Sequence, residues 1–522
     1  MIPTFHGLET AKRGLNAQRS ALYTTGHNIS NANTPGYTRQ RVNFTPSNPY
    51  PGTGINRPGI PGQLGTGVEA GTIQRVRESF LDVQYRLENN KLGYYSSLNT
   101  SLSKMEDIMN EPTDSGLHSV MEKFWSSLQD LTNHTENTGA REVVASTGEM
   151  VADTLNYYYN SLVRVKNDIG NEINVKVNDI NRMIEQINQL NEQIASIEPH
   201  GQLPNDLYDK RDLLVDELSK QVNIKVTNII PKNYGKNEPS AVGLYQIELV
   251  QKDGSPYSPQ ATLITVDRVS GRTGKNNLVV MDKDNNAESY RSEIATVKVG
   301  DITLNNLQFS GELAGLIESY GYSTDSGSKG YYPEMIEKIN NLTKAFANEF
   351  NAVHKNGYAL GATEKSDRDF FEYDEKNPAL TIRVNQAIVQ DPALIAAGSK
   401  SGDSGDNGNA AALAKVKSKN FNDYLTKVDV PAGMNGSIDS YYAGIIGNLG
   451  VSSQSVNKDM ENSQILLDSV DYNRSSINGV SLDEEMTNLV TFQHAYNASA
   501  RMITVIDEMI DKIINGMGVV GR

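Results

Sequence analysis

The apolar positions change their period along the chain, and each change marks a boundary. At the N-terminus Leu8, Leu15, Leu22 and Ile29 recur every seven residues, with Ala11, Gln18 and Thr25 at the intervening seam positions. This is the heptad stripe of a helix that packs on another helix. It stops at Asn31-Ala32-Asn33-Thr34-Pro35-Gly36, a run of turn formers in which Pro35 biases Thr34 away from helix. From Phe44 to Gly71 the chain carries Pro46, Pro49, Pro51, Pro58 and Pro61, which predicts an extended, mostly helix-free stretch. Helical spacing returns in Ile73, Val76, Phe80, Val83, Leu87, Tyr94 and Leu98 and lasts to about Ile108. Leu117 to Leu131 predicts another helix. A long one runs from about Ala140 to Ile197, with Leu162, Val165, Ile169, Ile173, Ile180, Ile184, Ile187 and Ile194 on one stripe, until Pro199 and Gly201 end it. Leu207 to Leu218 is a shorter helix, with Asn205 or Asp206 as its expected cap.

The period then drops to two. Residues 222–310 alternate, as in Val222-Asn223-Ile224-Lys225-Val226 and Leu244-Tyr245-Gln246-Ile247-Glu248-Leu249, with Gly and Asn turns between the runs. That pattern predicts an antiparallel β domain. Helices resume near Gly315, from Glu334 to His354, and over 409–420 and 436–470, with a small mixed insertion at about 358–400. In the last segment Leu482, Met486, Leu489, Gln493, Tyr496, Ala500 and Ile503 alternate four and three apart, and the stripe continues through Ile506, Ile510 and Ile513. Ser481 with Glu484 forms a capping box at its start.

The fold class this predicts is α+β: a long-helix bundle body with terminal coiled-coil helices and an inserted antiparallel β domain. The terminal helices occupy 1–40 and 480–522 and pair with each other. The helical body comes in two parts, 41–221 and 311–479, on either side of the β domain at 222–310. A lone helix of this length with so narrow a stripe is marginal in water, so each end needs a partner. The economical partners are the two ends themselves, then neighbouring subunits, which predicts ends that order on assembly. The alternative is that both helices pack on the chain's own body. On the first reading Leu8, Leu15, Leu22, Ile29, Leu482, Met486, Leu489, Tyr496, Ile503, Ile506 and Ile510 form the assembly interface.

Composition narrows the function. The 522 residues exceed one ordinary core and predict about two to four domains. Acidic residues outnumber basic ones by 63 − 48 = 15, which disfavours nucleic acid and anionic membrane surfaces as partners. The absence of cysteine removes disulfides, thiol nucleophiles and Cys-based zinc sites. No apolar stretch reaches the length of a membrane span, and the N-terminal segment lacks a signal peptide's apolar core; taken bare this predicts a cytoplasmic protein, with export by a signal-peptide-independent route left open.

Candidate chemistry is sparse. Gly65-Thr66-Gly67 and Gly71 lack the strand and spacing of a dinucleotide loop and read as a tight bend. Asp282, Asp284, Asn286 and Glu293 fall at positions one, three, five and twelve of an EF-hand loop, but Ala287 stands where glycine is needed, so a β turn with solvated acids is the better reading. The seven histidines form no metal-spaced pair, and His494 is expected to be exposed. Asp206, Asp209, Arg211 and Asp212 on one short helix read as packing ion pairs rather than as an acid–base set. Tyr157-Tyr158-Tyr159 and Tyr441-Tyr442 suit either an interface or a core. No cofactor, no small-molecule substrate and no enzymatic activity are expected.

Gly26-His27-Asn28-Ile29 followed by Ser30-Asn31-Ala32-Asn33-Thr34-Pro35-Gly36-Tyr37 resembles the signature shared by flagellar rod, hook and hook-associated axial proteins, with Asn28, Asn31, Asn33, Thr34, Pro35, Gly36 and Tyr37 as its motif residues. Three further segments resemble the hook–filament junction branch of that family. They are Asp206-Leu207-Tyr208-Asp209-Lys210-Arg211-Asp212-Leu213-Leu214, then Gly405-Asp406-Asn407-Gly408-Asn409-Ala410, and the C-terminal run containing Glu484-Glu485-Met486, Tyr496-Asn497-Ala498-Ser499-Ala500 and Asp507-Glu508-Met509. The resemblance is weak over 222–310. It implies a secreted structural subunit of the extracellular flagellum, exported through the flagellar type III apparatus without a cleaved signal peptide. It also implies a ring of such subunits at the distal end of the hook, between the hook protein and a second hook-associated junction protein. A cytoplasmic export chaperone would hold the C-terminal helix, with Leu489, Phe492, Tyr496 and Ile503 as the binding residues. A rod or hook protein, and more remotely a secreted enzyme or adhesin acting through 222–310 or 358–400, are the alternatives.

Overall fold

The computed structural model describes residues 5–52, 59, 62–109, 116–236, 239–304, 307–324, 327–426, 430 and 433–516. The chain opens with helix α1 (His6–Ser30), strands β1 (Gln40–Pro46) and β2 (Val68–Arg75), and helices α2 (Ser79–Met109), α3 (Leu117–Asn133), α4 (Thr138–Ile197) and α5 (Asn205–Gln221). Seven strands follow: β3 (Ile224–Ile229), β4 (Leu244–Val250), β5 (Pro256–Val266), β6 (Thr273–Lys275), β7 (Leu278–Asp282), β8 (Ile294–Val299) and β9 (Ile302–Leu304). Next come α6 (Glu312–Tyr320), β10 (Tyr322–Thr324), β11 (Gly327–Lys329), α7 (Tyr331–Lys355), β12 (Phe371–Glu372), α8 (Pro378–Thr381), β13 (Arg383–Val384) and α9 (Gln386–Gln390). Helices α10 (Gly408–Ala414), α11 (Ile438–Asn478) and α12 (Leu482–Gly516) complete the α+β fold. Two compact units emerge. The first takes in the described residues of Met1–Asn89, Asn181–Asn277 and Gln464–Arg522, the second those of Asn90–Ile180 and Leu278–Ser463.

In the first unit α1 lies antiparallel to α12. A Cβ added at Gly7 would stand 3.3 Å from Ile506, and one at Gly14 3.2 Å from Ser499, so seven residues up one helix match seven down the other. Glycine at these two positions lets the helices approach closely. Within the single chain the two ends thus pack on each other. The β1–β2 hairpin packs on α1 as well. This changes which residues of α1 are covered. Leu8, Leu15, Leu22 and Ile29 are half-buried, whereas Ala17, Ala21, Thr24, Thr25 and Asn28 are buried, because small side chains admit the second neighbour.

The hairpin replaces much of the expected extended stretch. Val42 pairs with Ile73, so Ile73 belongs to a strand and the next helix starts only at Ser79. Pro58 and Pro61 lie outside the described residues. The cap expected at Asn205 or Asp206 is also displaced: both residues lie in the first turn of α5, after Pro204. The four-stranded sheet β3-β4-β5-β6 is antiparallel throughout. Its core joins Ile229, Leu244 and Val266 to Ile194 of α4 and Tyr208 of α5.

The alternating region 222–310 does not make one β domain. Asn276 N–H still bonds back to Leu263 O at 2.9 Å, closing the first sheet, and Leu278 begins a new ladder opposite Val299. In the second unit this sheet runs β11-β10-β8-β7, with β9 on β8 and only the β10–β8 pair parallel. The second unit also holds an aromatic core of Phe124 and Trp125 of α3, Phe346 and Phe350 of α7, and Phe370 with Phe371, at centroid spacings from 4.8 to 6.5 Å. The long stripe of α4 is buried as its spacing implies, from Leu162 and Ile169 in the second unit to Ile184, Ile187 and Ile194 in the first.

Candidate functional site

The signature segment and the head of α12 meet in a polar clamp inside the first unit. Asn28, 1% exposed, uses its whole amide. Its Nδ2 donates to Gln40 O at 2.8 Å and to Glu485 Oε2 at 3.1 Å. Its Oδ1 accepts from Gln40 N–H at 3.0 Å and from Tyr37 Oη at 2.8 Å. Asn28 therefore pairs with Gln40 as a neighbouring strand would, while its helix reaches α12 through Glu485. Arg39 completes the link, donating from Nε to Glu485 Oε1 and from Nη1 to Glu484 Oε2, both at 2.7 Å. This explains why the capping box is only half made. Ser481 Oγ accepts from Glu484 N–H at 3.5 Å, but the Glu484 carboxylate is turned to Arg39.

Beneath the clamp, α5 presents four carboxylates on one face, and arginines distant in sequence pair with three of them, Asp209, Asp212 and Asp216. Asp209 accepts from Thr38 N–H at 3.0 Å and from Arg75 at 2.8 Å. Asp212 takes Arg75 at 2.7 Å, Arg77 at 3.0 Å, Arg86 at 3.5 Å and the Tyr245 hydroxyl at 2.7 Å. Asp216 takes Arg86 at 2.7 Å and Arg474 at 2.6 Å. Asp206, more exposed, accepts from Gln40 Nε2 at 3.2 Å. Burial alone would raise the Asp212 carboxyl, but Arg77, Arg75, Arg86 and Arg211 together hold it far below the usual carboxylate range. Burial does prevail at Asp209, whose pKa is raised despite Arg75. Arg211 is itself buried, its guanidinium 3.5 Å above the Tyr245 ring and its Nη1 bonded to Asn191 Oδ1 and Gly243 O. This arrangement fixes geometry. Every carboxylate in it is engaged by guanidinium, hydroxyl, amide or backbone N–H.

The remaining motif residues divide by exposure. Asn31 and Tyr37 are half-buried, and Asn33, Thr34, Pro35 and Gly36 form an exposed turn with Gly36 in the left-handed region at φ 76°. On α12, Leu489, Phe492, Tyr496, Ile503, Ile506 and Ile510 are half-buried, with the Phe492 ring 6.0 Å from Phe44 of the hairpin. Leu482 and Met486, expected on the same seam, are instead about half exposed, at 50% and 52%. Val490 is exposed with them, and beyond His494 a second apolar row on α12 runs through Met502, Val505, Met509 and Ile513, all exposed. His494 is exposed too. Among the described residues, no His, Cys, Asp and Glu cluster is placed to hold a metal. Asp282 organises a turn: its oxygens accept from Asp284, Asn286 and Arg291 N–H at 2.7 to 2.9 Å, which brings the carboxyl to about 2 against the effect of burial.

Sequence reasoning had set Asp209, Arg211 and Asp212 aside as packing charges, but it missed Arg39, Arg75, Arg77, Arg86 and Arg474. The available signal was the spacing of Asp206, Asp209, Asp212 and Asp216, which puts four acids on one helical face and calls for several cations.

The family profile described as "Flagellar hook-associated protein FlgK helical domain" matches residues 102–371. Over its full length the chain is 44% identical to flagellar hook-associated protein 1 of Bacillus subtilis (strain 168), across 529 aligned residues and 100% of both chains. It belongs to the flagellar hook-associated protein 1 family. Flagellar hook-associated protein 1 of Salmonella typhimurium (strain LT2) is 26% identical, over 97% of this chain and 98% of its own. The solved structure of the flagellar hook junction protein FlgK from Burkholderia pseudomallei shares the fold at a TM-score of 0.54 and 14% identity, covering 75% of this chain and 100% of its own. The profiles "Flagella basal body rod protein" and "Flagellar basal body rod FlgEFG protein C-terminal" match 8–38 and 474–516, the regions of α1 and α12. These two matches make the ends of this chain similar to rod proteins. The full-length match sets the rod-or-hook alternative aside and gives the chain a structural role in the flagellum.

Proposed function

We propose that this chain joins hook to filament, assembling as a ring at the distal end of the hook through α1 and α12. The observation that carries the reading is the apolar row Met502, Val505, Met509 and Ile513, left uncovered on the flank of α12 beside the stripe that packs on α1. A contiguous exposed apolar surface of this kind marks an interaction site. The partners on this reading are neighbouring copies, the hook protein and the second hook-associated junction protein. The subunit is extracellular, reached by export without a cleaved signal peptide, and its role is structural rather than catalytic. A cytoplasmic chaperone that takes Leu489, Phe492, Tyr496 and Ile503 competes with α1 and the hairpin for them, since all four are already half-buried. Among the described residues no helix is long and apolar enough to cross a membrane.

The test is co-sedimentation with isolated hooks whose distal ends are free. Met509 is 60% exposed, so Met509→Asp should leave the circular dichroism spectrum and unfolding midpoint of the monomer unchanged. It should cut hook binding at least tenfold, because a charge would enter the apolar contact. Leu15→Asp, on the α1 seam, should also block incorporation while leaving a soluble folded body. Undiminished binding of Met509→Asp would remove the row from the assembly surface.

A further inference from the structure

Away from the terminal helices, the first unit holds a groove of about 350 Å³ between strand β3 and helix α2. That volume is within the usual range for ligand sites. β3 is the edge strand of its sheet. Val250 N–H donates to Asn223 O at 3.0 Å, and the register pairs Ile224 with Leu249, Lys225 with Glu248 and Val226 with Ile247. Alternate residues of an antiparallel ladder bond across it. Lys225 and Thr227 therefore turn their backbone groups to β4, while Ile224, Val226 and Asn228 turn theirs to the open edge. The facing wall carries Val83 and Leu87 of α2, at 54% and 46% exposure, beside Asp82 and Arg86.

The charges in the groove nearly cancel. Asp82 is bonded by Arg77 at 2.6 Å and Arg86 by Asp216 at 2.7 Å. Glu248, across the ladder from Lys225, accepts from Gln246 Nε2 at 2.7 Å. Among the described residues Lys225 makes no ion pair, and it is exposed on the groove lining. We propose that the groove takes an extended peptide strand of a partner, added to the edge of β3 with apolar side chains against Val83 and Leu87 and a carboxylate beside Lys225. A strand fits where a helix does not, because only an extended backbone has free N–H and C=O groups to match those of Ile224, Val226 and Asn228. The unpaired Lys225 selects an acidic strand by charge complementarity.

The probe is a dye-labelled, end-blocked hexapeptide, Glu-Val-Thr-Val-Thr-Val, titrated into the full-length protein by fluorescence anisotropy, with a Lys-for-Glu counterpart alongside. The Glu peptide should bind saturably. Val226→Pro should weaken it at least tenfold with the fold intact, since that N–H faces outward and edge positions tolerate proline. Leu87→Glu, on the exposed wall, should do the same if Val226→Pro proves unstable. Lys225→Glu should reverse the preference between the two peptides. Absence of saturable binding, or binding indifferent to both Val226→Pro and Leu87→Glu, would overturn the proposal. So would self-association of Lys225→Glu in a protein whose wild type ignores the peptide, because Lys225 would then guard an edge that stays empty.

Discussion

Replacing Asn28 by alanine should open the clamp, and the structure sets the size of the effect. The side chain makes four hydrogen bonds at 2.8, 3.1, 3.0 and 2.8 Å, one of them to the Glu485 carboxylate. Three neutral bonds at about 1 kcal/mol each and one charged bond at about 2 kcal/mol set an upper figure near 5 kcal/mol. Water reaching the vacated site would satisfy some of the stranded partners, so about 4 kcal/mol is expected, or roughly a thousandfold in an equilibrium constant. The assay is native-state amide exchange. The Gln40 amide, which loses its acceptor directly, and the amides from Glu485 to Thr491 should exchange about a thousandfold faster, with the aromatic core of the second unit unchanged. Asn28→Asp should be as damaging at neutral pH, because it sets a second carboxylate against Glu485. A change under tenfold at Gln40 and along the head of α12 would refute the clamp as the element that holds the two ends together.

Acidification should weaken the second unit through His354. This side chain is buried, its Nδ1 bonded to Arg368 O at 3.0 Å and its Nε2 accepting from Ala396 N–H at 3.0 Å, and burial lowers its pKa from 6.5 to about 4. The fold holds the neutral ring, so this stability is complete above 6.5 and is lost as pH falls from 6.5 through 4, about 3 kcal/mol in all. Urea titrations at pH 7 and 4.5 should show most of that loss in the wild type and little in His354→Gln; equal losses would reassign it. Below that window Asp212, whose pKa is depressed, should take over. Asp212→Ala removes the buried carboxylate that Arg75, Arg77 and Arg86 share, leaving them Asp209, Asp82 and Asp216, and should cost about 3 kcal/mol of unfolding free energy, so a loss under 1 kcal/mol would show those remaining partners to be sufficient. Phe350→Ala leaves a hole among Phe124, Phe346, Phe370 and Phe371 and should cost about 3–5 kcal/mol with a reduced near-ultraviolet dichroism signal. An unchanged urea midpoint would mean the core collapses to fill it.

The parts legible in the sequence were those fixed by local period. The stripes of α3, α4 and α7 gave helices near their observed bounds, because one buried face repeats every three to four residues whatever it packs on. Partner choice was not legible. Alternation made 222–310 a set of strands but carried no sign that the ladder restarts at Leu278, since period two says nothing of which strand lies alongside. The hairpin went unseen for a related reason: its strands, Gln40–Pro46 and Val68–Arg75, are separated by a proline-rich stretch that masked their alternation. At the clamp, Asn28 and Glu485 were both visible as parts of familiar segments. Their meeting depends on an antiparallel register that only the packing of Gly7 and Gly14 against α12 sets.

That register explains why the terminal pair is unevenly held. Near Asn28 and Glu485 its two helices share buried, directional bonds with α5 and the hairpin behind them. Toward His6 and Gly516 they share half-buried aliphatic contacts, and the exposed Met502, Val505, Met509 and Ile513 lie at that end. Polar bonds of fixed geometry set orientation, whereas apolar contact is tolerant of its partner and grows with area. A neighbouring copy docking on the outer row would therefore add burial where the pair is weakest and leave untouched the end where its direction is set. The same division accounts for the chemistry of the two ends: arginine, asparagine and glutamate where one arrangement must be chosen, and methionine, valine and isoleucine where the helix face is exposed.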